Sequence, residues 1–181
     1  GVTYDGKKGY VGNMTRKVEQ LTRVLNNTMF EAAQRLSPNF RWSSIQINYN
    51  TISEKHTDKN NVGESWSFTA GNFSGGELVV PHMDMKGASP GLMVQFDGRQ
   101  VHWSLPFRGE RYSAVIFCHD RQAEVTGADR RYLRELGFRL PEIVMDSLPA
   151  QLSIFAGINK SEPLGPELAS KAYHAFDLHL H

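Results

Sequence analysis

Between Phe40 and Cys118 the chain is a succession of short β-forming runs, cut by glycine and never interrupted by a helical pattern. "FRWSSIQINYNT" alternates with period two; "SWSFTAGNF", "GELVV", "GLMVQFDG", "QVHWSLPF" and "RYSAVIFC" follow it. Gly71, Gly75-Gly76, Gly87, Pro90-Gly91, Asp97-Gly98 and Gly109 punctuate them as turns. Parallel neighbours would need a crossover between each pair, usually a helix. The runs here leave no room for one, so the pattern predicts an antiparallel sandwich or barrel.

The flanks read differently. Met14, Val18, Leu21, Leu25, Met29, Ala32 and Leu36 recur at steps of three and four, which predicts an amphipathic helix over 13–37. Asn13 or Thr15 can cap it, and Pro38 stops it. "GADRRYLRELGF" predicts a second, short helix with Leu133 and Leu136 inward, and with Arg130, Arg131, Arg134 and the nearby Arg139 as a solvated basic face. The expectation is one domain over 1–181: helical support at 13–37, a β core over about 40–118, and a C-terminal helix and tail over 127–181.

Composition excludes several classes. A hydrophobic content of 40% and a charged content of 22% suit an ordinary globular protein. No apolar run reaches membrane-spanning length, and "GVTYDGKKGY" lacks the apolar core of a signal peptide. Cys118 is the only cysteine, so no internal disulfide can form; this favours a reducing, intracellular setting (cytoplasm or nucleus) and a quietly packed thiol. Four Asn-x-Ser/Thr triplets, at Asn13, Asn26, Asn72 and Asn159, then read as chance. The formal net charge of +1 neither demands nor forbids nucleic acid, since any basic surface must be local.

Chemistry enters at "EKHTDKNN". On a strand, residues i and i+2 share a face, so His56 and Asp58 can reach one metal ion. A second histidine from another strand would complete a 2-His-1-carboxylate set with open positions, the arrangement that suits non-haem Fe(II). His102, in "QVHWSLPF", is placed to supply it. Farther on, Arg111, Ser113, Val115 and Phe117 fall on one face of a strand, opposite Tyr112, Ala114 and Ile116. An arginine opening such an apolar face needs an anionic partner, and no acidic residue is an evident match. A dicarboxylate ligand gripped by the two-pronged guanidinium would meet the need. Other histidines carry less. His82-x-Asp84 repeats the spacing but precedes His102 by too little chain for the strands between. His119-Asp120 and His179-x-His181 stand outside the strand frame and read as surface polars.

The ordered set His56-x-Asp58, His102, Arg111-x-Ser113 resembles the signature of the 2-oxoglutarate- and Fe(II)-dependent dioxygenases. "GNFSGGELVV" and "FDGRQVHWSLPFRGERYSAVIF" are similar to segments seen in many of them, so the resemblance spans about Ile45 to Phe117. It implies a double-stranded β-helix, or distorted jelly roll, buttressed by the N-terminal helix. It also implies Fe(II) on His56, Asp58 and His102, with Arg111 pairing the distal carboxylate of 2-oxoglutarate beside the Ser113 hydroxyl. Asn48 and Asn50 are implied as further cosubstrate contacts. Dioxygen, 2-oxoglutarate and a substrate C–H bond would give succinate, carbon dioxide and a hydroxylated product.

For the substrate, the "GGEL … H … PF.GERYS" run is similar to the nucleobase-oxidising branch, the ten-eleven-translocation and base J oxygenases. That points to the 5-methyl group of a pyrimidine in DNA, with Lys55 and Lys59 at the pocket mouth. Prolyl or other protein hydroxylases share the motif, which leaves a peptide or protein as the alternative partner. A non-catalytic cupin-like metal- or ligand-binding module is the competitor from another class. Arg111-x-Ser113 speaks against it, since simple metal holding needs no buried arginine.

Overall fold

A computed structural model of the chain describes residues 1–12, 18–81, 90–143 and 161–180. Among the described residues it is mainly β, with antiparallel sheets and three α-helices. A hairpin, β1 (Val2–Asp5) with β2 (Gly9–Gly12), opens the chain, and helix α1 (Glu19–Leu36) follows. The central sheet joins β3 (Ser44–Tyr49), β4 (Asn61–Gly75), β6 (Leu92–Phe96), β8 (Phe107–His119) and β9 (Ser161–Pro163) in the order β3-β8-β4-β6-β9. Every pairing in it is antiparallel. A small second sheet pairs β5 (Leu78–Val79) with β7 (Trp103–Ser104). Helix α2 (Gly127–Glu135) and helix α3 (Pro166–Leu180) complete the described elements.

The alternation of β8 decides the layering. Tyr112, Ala114 and Ile116 enter the core, where they meet Leu21, Leu25 and Met29 of α1 and Phe176 of α3. The Tyr112 ring stacks on Phe176 at 5.1 Å between centroids. Trp66, Phe68 and Ala70 of β4 and Met93 of β6 join the same side. Arg111, Ser113 and Val115 therefore point the other way, into a pocket also lined by Leu78 of β5 and Ser104 of β7. One face of the sheet holds the molecule together and the other is free for chemistry.

Helix α1 departs from the expected stripe in an instructive way. Leu21, Leu25, Met29 and Ala32 are fully buried as the spacing requires, but so is Asn26. Its carboxamide donates to the Leu136 carbonyl (2.7 Å) and accepts from the Trp42 indole N–H (2.7 Å). This cross-brace ties α1 to the strand entry and to the end of α2. It also closes Asn26 to glycosylation in the folded chain. The expected start of α1, with Asn13, Met14 and Thr15, lies outside the described residues, as do His82, Asp84, Asn159 and His181.

Helix α2 forms where the sequence placed it. Thr126 caps it by accepting from the Asp129 N–H at 3.3 Å, and Leu133 and Leu136 are buried. The expected solvated arginine face needs correction at Arg130, which is 5% exposed. Its guanidinium donates to the Gln122 carbonyl and side chain (both 2.7 Å) and to the Pro141 carbonyl (2.6 Å). Helix α3 had no counterpart in the sequence reading. Leu168, Ala172, Ala175 and Phe176 form its buried stripe, and Pro166 and Glu167 make an orderly first turn. No described helix is long and apolar enough to cross a membrane.

Candidate metal centre

His56, Asp58 and His102 converge, each offering one donor atom, all within 4.8 Å of one another. His56 Nε2 lies 3.6 Å from one Asp58 oxygen and His102 Nε2 3.7 Å from the other. The strand expected to carry the first pair is reduced to a single bridge. His56 and His102 exchange two main-chain hydrogen bonds (3.1 and 3.0 Å), and the Ser104 N–H adds one to the Ser53 carbonyl (3.0 Å). Asp58 instead gives its N–H to the Gly98 carbonyl at 2.8 Å. The loop 97–100 thus takes over where the ladder ends, and the carboxylate still turns toward both imidazoles.

The surroundings preset the donors. His56 Nδ1 donates to the Glu54 carbonyl (2.7 Å) and His102 Nδ1 to the Gln100 carbonyl (2.8 Å). A carbonyl can only accept, so each ring carries a proton on Nδ1 and turns its Nε2 toward Asp58. Asn61 donates to Asp58 Oδ2 at 3.1 Å and orients the carboxylate. A Cβ at Gly98 would stand 2.9 Å from Asn61 Nδ2 and 3.0 Å from Asp58 Oδ2, so a side chain there would displace one of them. Two imidazole nitrogens and one carboxylate oxygen, with both imidazoles held by outer hydrogen bonds, could hold a metal ion. Exposure is uneven: the His56 side chain is 43% exposed and that of His102 5%.

Arg111 lies in the same pocket, of about 290 Å³, with His56, Asp58 and His102. It is 6% exposed, and no carboxylate among the described residues is within ion-pair reach. Its terminal nitrogens make two long contacts, to the Thr51 and Gly76 carbonyls (3.4 Å each), and buried Nε has no partner. Phe73 and Phe107 flank the guanidinium at 5.7 and 5.5 Å. Burial presses its pKa below the ordinary arginine value, the mark of a cation without a local anion. Ser113 stands beside it on β8, with Asn48 of β3 donating to the Ser113 hydroxyl at 3.3 Å. Leu78, Phe96 and Val115 supply apolar wall.

Three of the expected site residues sit outside this pocket. Asn50 does not line the pocket; its Oδ1 accepts the main-chain N–H of Arg111. Lys55 stacks its ammonium on the Trp103 ring at 4.7 Å, outside the pocket lining. Lys59 lines a second pocket, of about 500 Å³, that shares Asp58 and Gln46 with the first. His119 lines it too and is 8% exposed, which corrects its reading as a surface polar. The period-two face of β8 carried that signal: Arg111, Ser113, Val115, Phe117 and His119 form one row, continued across two pockets. No protein-family model and no curated protein sequence matches the chain.

Proposed function

We propose that the protein is a 2-oxoglutarate- and Fe(II)-dependent dioxygenase, with its two sheets forming the double-stranded β-helix that such chemistry uses. The observation that carries this reading is Arg111: a buried guanidinium with an unpartnered Nε, in one pocket with a His-Asp-His group. Holding a metal would need no such cation. A dicarboxylate chelating the metal at one end and meeting Arg111 at the other accounts for both, which speaks against a non-catalytic binding module.

When bound, Fe(II) with 2-oxoglutarate and dioxygen supplies oxidation of a substrate C–H bond, with release of succinate and carbon dioxide. The chain's own residues bind and orient. His56, Asp58 and His102 would hold the ion, the two imidazoles being oriented through Nδ1 by the Glu54 and Gln100 carbonyls. Arg111 and the Ser113 hydroxyl take the distal carboxylate, and Asn48 steadies that hydroxyl. Leu78, Phe96 and Val115 keep water from the reacting end.

The substrate we propose is a pyrimidine base in DNA. The second pocket supports it, since Gln46, Thr57, Lys59, Asn60 and His119 offer hydrogen bonds and charge, and Phe117 a ring face. A proline side chain would leave those polar groups unanswered. The test is succinate release from 2-oxoglutarate with Fe(II), run with oligonucleotides carrying 5-methylpyrimidines and, separately, with proline-containing peptides. Stimulation by the oligonucleotides is expected. Release without any dependence on Fe(II), or none at all, would sink the dioxygenase reading; stimulation by peptides alone would move the substrate to protein.

A further inference from the structure

Asn50 follows β3 in the left-handed region, with φ 48°. There it closes both main-chain groups of Arg111: its N–H donates to the Arg111 carbonyl, and its Oδ1 accepts the Arg111 N–H, each at 2.8 Å. The regular register between β3 and β8 stops one step earlier, at Tyr49 opposite Tyr112. A side-chain oxygen thus supplies a rung that the main chain no longer can. The next residue, Thr51, then brings its carbonyl to the guanidinium.

The far side of Arg111 is as closely set. A Cβ at Gly76 would stand 3.0 Å from Arg111 Nε and 3.2 Å from Cδ, and Gly76 itself adopts φ +77°. Yet the direct contacts to the guanidinium are two long hydrogen bonds and two ring faces, none a strong partner. Such a side chain points where its main chain is pinned. We infer that Asn50 is a positioning residue: it fixes the Arg111 backbone so that the guanidinium meets a dicarboxylate at the reach set by His56, Asp58 and His102. This rests on the dicarboxylate reading above.

The test is a double-mutant cycle on Mn(II)-loaded protein, titrated with 2-oxoglutarate by calorimetry without turnover. Asn50→Gly keeps the left-handed backbone and removes only the carboxamide. It should weaken 2-oxoglutarate binding on the order of tenfold while Mn(II) affinity stays at the wild-type value. In an Arg111→Met background the same change should add nothing, because its effect passes through the guanidinium. Should Asn50→Gly fail to fold, Asn50→Ser carries the comparison, its shorter side chain leaving the oxygen out of reach. An equal loss in both backgrounds, no loss in the single variant, or a parallel loss of Mn(II) would overturn the assignment. A wild-type protein that holds Mn(II) but not 2-oxoglutarate would remove the dicarboxylate reading itself, and this inference with it.

Discussion

At the scale of single residues, the site depends on close approaches that leave little room for substitution. Gly98 is the sharpest case, because its missing Cβ makes space for the Asp58 carboxylate and its Asn61 donor. Its backbone lies outside the left-handed region, so Gly98→Ala tests space alone. We expect that variant to lose Mn(II) affinity by roughly 10–100-fold, as when an outer-shell partner is disturbed, with near-wild-type thermal unfolding of the metal-free protein. Arg111→Lys poses a different question. A point charge cannot reproduce the planar two-donor fork, so the 2-oxoglutarate concentration for half-maximal succinate release should rise about ten- to a hundredfold. A variant with wild-type concentration dependence would end the assignment. The sequence singled out His56, Asp58, His102, Arg111 and Ser113, and the structure gathers them in one pocket, although only Arg111 and Ser113 lie on a strand. Asn50 was expected as a cosubstrate contact, and the structure keeps it out of the pocket lining. Its actual partner, a main-chain N–H, leaves no trace in side-chain pattern.

Among the elements, β8 and α1 show where sequence pattern suffices and where it fails. Strict alternation in "RYSAVIFCH" separated the core face from the site face, and the structure keeps that division along the strand. It was not followed as far as His119, because the histidine falls beyond the obvious apolar run. In α1 the period exposed the apolar stripe but hid Asn26, since a polar residue on the buried face looks like an interruption until its partners are known. The brace makes a definite prediction. Trp42→Phe keeps one six-membered ring but removes the N–H donor to Asn26 Oδ1 and part of the buried indole, so urea unfolding should show a loss of at least about 1–3 kcal/mol. An unchanged midpoint and slope would mean that the pair contributes nothing net. Helix α3 was missed for another reason: half of its buried stripe is alanine, which barely stands out from a polar background.

For the molecule as a whole, folding and metal binding should be linked, because the three ligands come from two separated stretches of chain joined by the His56–His102 bridge. An unfolded chain cannot bring them together. At a free Mn(II) concentration a hundredfold above Kd, the native state gains roughly 2.7 kcal/mol, and the melting temperature of a chain this size should rise by about 5–10 °C. Chelator should reverse the shift; a melting temperature indifferent to Mn(II) would show that the group holds no ion in the folded protein. The uneven exposure of the two histidines then has a kinetic side. An ion here would sit against a sealed wall at His102 and an open one at His56, so exchange with solvent has one door. Release would begin with the His56 imidazole swinging outward, and the sheet behind His102 need not move. Loading and stripping of the ion should therefore run much faster than unfolding, and the occupant would follow whichever divalent metal its surroundings last supplied.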